Sequence, residues 1–475
     1  MLALVVNPVA GVGGPAGLAG SDGAAVQVEA AERGARPQAG ERARVALEVV
    51  AAHLRRSSSA DGVDASRDRA RVAGRPGTAL RAASTGRLPV VLTAAGAMGE
   101  DAVRAAGLEP RVVYRPSVAD HATSAAATTA ADTTAAVRAL VDAGATLVLF
   151  AGGDGTARDV AAGLSEAGRG TATGSSADGR NGSGGTSVPH ADVVVDDSGM
   201  SPRSSYRASV PTAWGGRPGA VAVAALGIPA GVKMYSPVFA VSPRAAGALA
   251  AAWSAASGSD GALPVQEREV LDIDEAAMRR ARVEPRLYGT MPVPYRAGRT
   301  QSRKAATPVT EQAAVAGAAR GAAMAMRPGI RYLLGPGGTM AELARELGVA
   351  KTPLGVDVVL DGRVVRAGAS EHELVDEISR GPAKAVVSVI GGQGFLLGRG
   401  NQQLSARVLR LLDDDPLMVV APEQKLIDLG GRPLLVDTGD PLVDARLAGF
   451  ARVITGPSTT SLYPVHAPDA EPSEP

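Results

Sequence analysis

Asp154 stands inside a run of glycines. Gly152, Gly153, Asp154, Gly155 and Thr156 follow the apolar stretch Thr146–Phe150. A glycine-rich turn between a strand and a helix lets backbone N–H groups converge on an anion, and the helix dipole favours negative charge there. A carboxylate in such a loop repels phosphate. It has a use there if it takes a proton from an attacking hydroxyl, or helps to hold a Mg²⁺ ion that bridges phosphates. A carboxylate capping the following helix would occupy the same position, and position alone does not separate the readings. Three further glycine-rich loops follow apolar stretches: Asn7–Gly14 (NPVAGVGG), Gly335–Thr339 (GPGGT) and Gly391–Gln403 (GGQGFLLGRGNQQ). One such loop would be an ordinary tight turn; four together predict a ligand that carries phosphates. Asn7 and Asn401 lie in these loops and are two of the three asparagines in the chain. Gly337 and Arg399 are further candidate contacts. A guanidinium in a glycine context suits bidentate phosphate binding, with a loop salt bridge as the alternative. Lys233 is read as a phosphate contact or a helix-start cover. Asp272 and Asp274 share one strand face and are read as Mg²⁺ ligands or as an exposed face.

The remaining residue types exclude several chemistries. There is no cysteine, so disulfides, thiolate metal sites and cysteine nucleophiles are ruled out. None of the five lysines follows a glycine, which removes the Gly-Lys-Ser/Thr of a P-loop NTPase. No G-x-S-x-G elbow and no H-E-x-x-H is found. Lys+Arg and Asp+Glu balance at 49 and 48, and aromatics are 3%. Neither a nucleic-acid groove nor an anionic membrane surface is expected from that balance. The N-terminus lacks a basic leader, and no apolar run is long enough to span a bilayer. A cytoplasmic protein is expected, with small-molecule partners and a homo-oligomer left open.

The elements around the loops predict an α/β fold. Leu2–Val6, Pro89–Thr93, Pro110–Tyr114, Thr146–Phe150 and Ala220–Leu226 read as strands. Glu41–Leu54 and Asp132–Ala143 carry helical spacing, and Gly144 ends the second as a C-cap. Helix, strand, glycine turn, helix is the pattern of a parallel sheet. Val270–Ile273 and Arg286–Val293 are read as strands, and Glu311–Met326 as a helix. Strands are expected at Ile330–Leu334, Val356–Leu360, Ala385–Ile390, Leu417–Val420, Leu434–Val436 and Arg452–Ile454. Helices are expected at Met340–Leu347, His372–Ile378, Ala406–Leu412 and Val443–Phe450. An N-terminal α/β domain over residues 1–256 and a second, largely α/β domain over 263–465 follow from this. Ser57–Arg87 and Leu164–Arg217 lose periodicity and fill with Ser, Gly, Asp and Arg, so both are read as disordered insertions. Only Val193–Val195 is strand-like in the second. The acidic, proline-rich tail 466–475 is expected to be disordered.

With the motifs set out, a family likeness appears. The Gly-Gly-Asp-Gly-Thr loop after an apolar strand resembles the signature of the superfamily of NAD kinases, diacylglycerol kinases and 6-phosphofructokinases. The opening Asn7-Pro8 and its glycines do too. Gly227–Val241, Asp272–Glu275, Leu354–Val359, Gly391–Gln403 and Leu434–Asp440 are similar to the ATP-NAD kinase/AcoX branch. That resemblance implies an NAD-kinase-like fold and transfer of phosphate from ATP, or polyphosphate, to the 2′-hydroxyl of NAD to give NADP, with Mg²⁺ or another divalent ion. It makes Asp154 the general base and Gly152, Gly153, Gly155 and Thr156 the phosphate loop. Gly227 and Gly231 then belong to a strand-end loop that typical NAD kinases write G-I-N-x-G, with Pro229 here in place of the Asn. Arg158 and Asp159 stand where lipid kinases carry Asn-Glu. The alternatives are a kinase of the same fold for another small hydroxyl substrate, or a nucleotide-binding accessory protein of acetoin-type catabolism. The loops of both halves are expected to share one cleft. Asp154→Asn is expected to keep the fold and lose turnover.

Overall fold

The computed structural model describes residues 1–18, 24–70, 89–116, 128–170, 223–256, 263–273, 285–304 and 311–469, with backbone only at 24, 57–70 and 169–170. The first half is built on β1 (Leu2–Val6), β2 (Val90–Ala94), β3 (Glu109–Tyr114), β4 (Leu147–Gly152) and β5 (Ala224–Pro229). They form one parallel sheet in the order β3-β2-β1-β4-β5. Strands β4 and β5 are buried along their whole length, as expected for a parallel sheet covered on both faces. The described helices are α1 (Ala24–Glu32), α2 (Ala39–Ala70), α3 (Glu100–Ala105), α4 (Ala130–Asp142), α5 (Asp154–Gly170) and α6 (Pro243–Ala256). Helix α4 starts where Thr129 and Asp132 exchange side-chain and backbone hydrogen bonds in a capping box. Gly247 lets α6 approach α2 closely, since a Cβ there would lie 2.2 Å from the Ala46 carbonyl.

A two-stranded antiparallel ribbon, β6 (Val265–Ile273) with β7 (Pro285–Pro294), follows. Its inner residues Val270, Met291 and Val293 join the core of the first sheet, together with Phe395 from the second half. The second half begins with α7 (Gln312–Ala325), β8 (Arg331–Leu334), α8 (Gly338–Glu346), β9 (Val356–Leu360), β10 (Arg363–Ala369), α9 (Glu371–Ser379) and β11 (Ala383–Val387). It continues with β12 (Phe395–Leu397), α10 (Ala406–Leu411), β13 (Leu417–Val420), α11 (Glu423–Ile427), β14 (Leu434–Val436), α12 (Pro441–Leu447), β15 (Gly449–Gly456) and β16 (Thr459–His466). Its nine strands form a mixed sheet in the order β10-β9-β8-β11-β13-β15-β16-β14-β12. Leu333 and Val387 face one core with α9, α10 and α12; Tyr332, Leu334 and Val386 face another with α7 and α8. The period-two alternation of these strands therefore builds a helix layer on each face.

The sequence pattern misplaces several ends. Helix α2 runs on to Ala70, past the start of the insertion expected at Ser57, although its apolar spacing stops at Leu54. The remainder of that insertion, residues 171–217 of the second one, Val193–Val195 and Asp274 lie outside the described residues. Helix α5 carries the chain to Gly170. The helix expected to Phe450 stops at Leu447, because Gly449 and Phe450 pair with Val465 and Pro464 at the open end of the β15–β16 ladder. His466 is inside β16 and Ala467 is buried, so the chain stays packed past the expected start of the tail.

Candidate active site

Three loops meet at the C-terminal ends of β1, β4 and β5, the edge where open α/β sheets bind ligands. The Gly152 carbonyl accepts from the backbone N–H groups of Ala230 and Gly231, at 3.0 and 2.9 Å. The Asp154 N–H donates to the Lys233 carbonyl at 3.1 Å. The glycines permit this approach: a Cβ on Gly231 would lie 2.3 Å from the Gly153 Cα, and one on Gly153 would lie 2.8 Å from the Lys233 carbonyl oxygen. Gly152 has no room beside Thr156, and Gly227 has none beside the Phe239 ring. Asn7 ties the first loop to the second by donating from Nδ2 to Thr156 Oγ1 at 3.1 Å. Its Oδ1 accepts from the Val9 N–H. A cavity of about 460 Å³ opens at this junction, and Asn7, Gly153, Asp154, Gly155, Thr156 and Gly231 all line it.

Asp154 is the first residue of α5, yet its carboxylate points at a different segment. Oδ2 accepts from the Tyr235 N–H at 2.6 Å; Oδ1 accepts from the Ser236 N–H at 3.0 Å and lies 2.7 Å from Ser236 Oγ. The Leu271 N–H donates to that hydroxyl at 2.9 Å. The side chain is 1% exposed, and burial pushes its carboxyl up to about 6, against the hydrogen bonds from Ser236 and Tyr235. Asp272 adds a like charge in the same direction. A carboxylate offers roughly four lone-pair directions, and Oδ2 uses one of its two here. So Asp154 can accept one further hydrogen bond, and its basicity is moved toward neutrality, where a general base works best.

The cavity wall opposite combines charges of both signs. Arg158, one turn along α5, pairs with Asp272 Oδ2 at 2.8 Å and Asp159 Oδ1 at 3.3 Å. Its guanidinium lies 5.6 Å from the centroid of the Tyr288 ring on β7. Lys233, Arg286, Thr129 and Thr133 also line the space. Arg286 and Tyr288 escape a reading of motifs, because β7 carries no local signature and comes to the site only by folding, while Arg158 stands in the motif but is not read there as a site residue. The position of Arg158, one helical turn beyond the glycine loop, was the available signal.

The other expected contacts lie elsewhere. Arg399 is buried, and its guanidinium donates to Gln301 Oε1, the Gly398 and Val241 carbonyls and Asp437 while resting on the Phe395 ring. Asn401 holds its own loop, donating to the Leu396 carbonyl and accepting from the Gly398 N–H. Gly227 packs on Phe239 in the core. None of these three lines the cavity. The Gly391–Gln403 loop does reach the site's edge, where Gln402 donates to the Gly231 carbonyl at 3.1 Å. Gly337 belongs to the C-terminal end of β8 and is not part of the cavity wall.

For a divalent cation, Asp154 and Asp272 are the carboxylates within reach of each other's charge. Among the described residues no cluster of three or more His, Cys, Asp or Glu side chains is placed to cage a metal. The donor set fits a Mg²⁺ ion that shares one or two carboxylates with ligand phosphates. Among the described residues no helix is long and apolar enough to cross a membrane.

Comparison with known proteins bears on both halves. The ATP-NAD kinase N-terminal domain matches residues 79–168, a span that includes β2 to α5 and the Asp154 loop. The ATP-NAD kinase C-terminal domain matches residues 327–465, from β8 to β16. No curated protein and no solved structure matched the chain. Two matched domains in their proper order, on an α/β scaffold whose glycine loops enclose a buried carboxylate, place this chain in the ATP-NAD kinase family.

Proposed function

We propose that this chain transfers the terminal phosphoryl group of ATP to the 2′-hydroxyl of NAD, yielding NADP. The observation that carries the reading is Asp154: a buried carboxylate with a raised pKa, held by Tyr235 and Ser236 and facing a cavity lined by Arg158, Lys233 and Arg286. The acceptor hydroxyl would donate to the open lone pair of Oδ2. As the oxygen attacks the γ-phosphorus, its proton passes to Asp154, the bond from that phosphorus to the β-phosphate oxygen breaks, and ADP leaves. Thr156, Asn7 and the start of α5 position the phosphate side, where the helix dipole favours anionic oxygens. When bound, a divalent ion would neutralise charge on the transferring group; with the open position of Asp154 taken by the acceptor hydroxyl, Asp272 is the carboxylate of the cavity wall left to hold it.

A second acceptor class is favoured by Pro229 and by size. Strand β5 extends through Pro229 into the loop facing Gly152, so no side-chain amide is offered there. A cavity of about 460 Å³ suits a ligand of moderate size and admits a small polyol or nucleoside hydroxyl as acceptor. An accessory role in acetoin-type catabolism is the non-catalytic alternative. The deciding experiment measures NADP formation from NAD, ATP and Mg²⁺, with polyphosphate in a parallel reaction and Asp154→Asn as control. NADP formation that Asp154→Asn abolishes supports the reading. ATP turnover with other hydroxyl acceptors but not NAD supports the second class, and no turnover with any acceptor removes the kinase.

A further inference from the structure

We propose that a second cavity, walled by α2, the loop after β5 and the chain around Gln402 and Asp437, binds a neutral ligand through a primary carboxamide. The cavity measures about 40 Å³ and shares only Gly11 and Gly231 with the lining of the Asp154 cavity. Among the described residues, three buried polar atoms on its lining side chains have no hydrogen-bond partner: Arg42 Nε, Gln402 Oε1 and Asp437 Oδ1. Asp437 is 3% exposed, and an open carboxylate oxygen at that depth is costly until a donor meets it. The other atoms of these side chains are engaged. Arg42 Nη2 and Arg399 Nη1 both donate to Asp437 Oδ2, and Gln402 Nε2 donates to the Gly231 carbonyl. An arginine often meets both oxygens of a carboxylate with two parallel N–H groups. Here Nε and Oδ1 are both left over on one ion pair.

This pattern selects a chemical group. One open donor and two open acceptors ask for one acceptor and two donors in return. A primary carboxamide has a carbonyl oxygen and two N–H donors. A carboxylate has no donor, a lone hydroxyl has one, and an ammonium offers no acceptor to Arg42. Arg42 and Asp437 are the charged residues of the lining and offset each other, which also selects an uncharged ligand. The hydroxyls of Ser405 and Thr438 are already bonded, to Glu371 and to the Asp440 carbonyl, so they do not alter the pattern. Water supplies the same hydrogen bonds, but one buried water needs only about 10–15 Å³ of such space. The walls are also partly apolar, from the buried Pro229, Ala230, Met234 and Leu404. A carboxamide on a short apolar body answers both the open polar atoms and these walls. Gln38, at the rim, is exposed, so the cavity reaches solvent there.

The test is binding, independent of any turnover. Isobutyramide is titrated into the full chain and followed by ligand-detected NMR, with isobutyrate, isobutanol and 1,2-propanediol as matched probes that lack the amide. Wild type should bind isobutyramide saturably and each of the other three at least about fivefold more weakly, since each leaves an open atom unmet or brings oxygen to the apolar walls. Gln402→Leu removes one acceptor and Arg42→Met removes the donor. Amide binding at least about fivefold weaker in either folded variant supports the site. Should Arg42→Met fail to fold, Gln402→Leu carries the expectation alone. Hexanamide is the last probe: tighter binding than isobutyramide identifies the amide end of a longer ligand, and weaker binding identifies a small free amide. Absence of saturable amide binding in wild type means that the cavity holds water only, and overturns the proposal. Equal binding of the amide and any of its matched probes overturns it too, as does unchanged amide affinity in both variants. Asp154→Asn should leave amide binding intact, because Asp154 does not line this cavity, and that separates its failure from failure of the kinase reading.

Discussion

Three donors converge on the two oxygens of Asp154, and that count changes what a substitution there does. An asparagine has one acceptor oxygen, so in either orientation its amide N–H₂ faces a donor. Asp154→Asn therefore does not preserve the local bonding. A lost bond with an unsatisfied buried group costs about 1–3 kcal/mol. Opposed to this, the variant removes a carboxylate that burial penalises. Because the folded carboxyl is raised to about 6, it favours the fold while protonated. That contribution is complete below the ordinary carboxylate range and is lost as pH rises through about 6. The melting temperature of Asp154→Asn should thus vary less than wild type between pH 4 and 6, in roughly the window that the shift defines. Turnover should fall by at least about a hundredfold. Wild-type kcat/KM should decline below pH about 6, where the base becomes protonated. Ser236→Ala removes the strongest of the bonds that oppose the shift, so this limb should move to higher pH. A pH profile unmoved by Ser236→Ala would show that Asp154 is not the titrating group. Asp154 itself was legible in the sequence from its glycines. Its partners were not: Tyr235 and Ser236 lie 81 and 82 residues away, in the Gly227–Val241 stretch, whose family likeness does not single them out.

At the scale of elements, the glycines serve a purpose that their spacing does not announce. The run around Asp154 reads as an anion cradle. In the fold, Gly153 and Gly231 also let the chain just past β4 and β5 touch backbone to backbone, and Gly152 leaves room for Thr156. Gly231→Ala must displace the Gly153 backbone, and overpacking of this sort costs about 1–3 kcal/mol. A drop of several degrees in melting temperature is the expected outcome, along with weakened ligand binding at the Asp154 cavity. Gly338→Ala is the matching control, because open space surrounds it; its melting temperature should stay at the wild-type value. Equal effects from the two substitutions would show that close approach is not why Gly231 is there. The same contrast explains which elements the sequence reveals. Long, periodic segments such as α4 and the buried strands β1 and β4 declare themselves. Strand β12 has three residues between glycines and depends on β14, further along the chain; β16 contains Pro464, which hides a strand that β15 pairs with directly across a tight turn.

Across the whole molecule, one ionic cluster joins the two sheets. Arg42 on α2 and Arg399 in the Gly391–Gln403 loop both donate to Asp437 Oδ2, just past β14. All three side chains are largely buried, Asp437 to 1% and Arg42 to 12%. Burial alone would raise the Asp437 carboxyl; Arg42 and Arg399 overcome it and hold the group below the ordinary carboxylate range. Arg399, which the sequence suggests as a phosphate contact, thereby fixes the second half against the first. The pairing makes the variants unequal. Asp437→Asn leaves two buried guanidiniums without their anion, and breaking a buried pair this way costs about 3–5 kcal/mol. Arg42→Met leaves Arg399 and Asp437 paired, so it should cost clearly less. Denaturant titration of both variants checks the order, and an Arg42→Met loss at least as large as that of Asp437→Asn would refute the cluster as described. The pH dependence has the opposite sign to that of Asp154. With its folded pKa depressed, Asp437 stabilises the fold above the ordinary carboxylate range and withdraws that support as pH falls through the folded value. The nearby Asp469, raised by burial and then by the Asp437 charge, works the other way and gains stability on protonation. Wild type should therefore lose stability steeply once pH falls below the ordinary carboxylate range, as the native ion pairs are protonated. Asp437→Asn, already without that anion, should lack much of the steep acid limb.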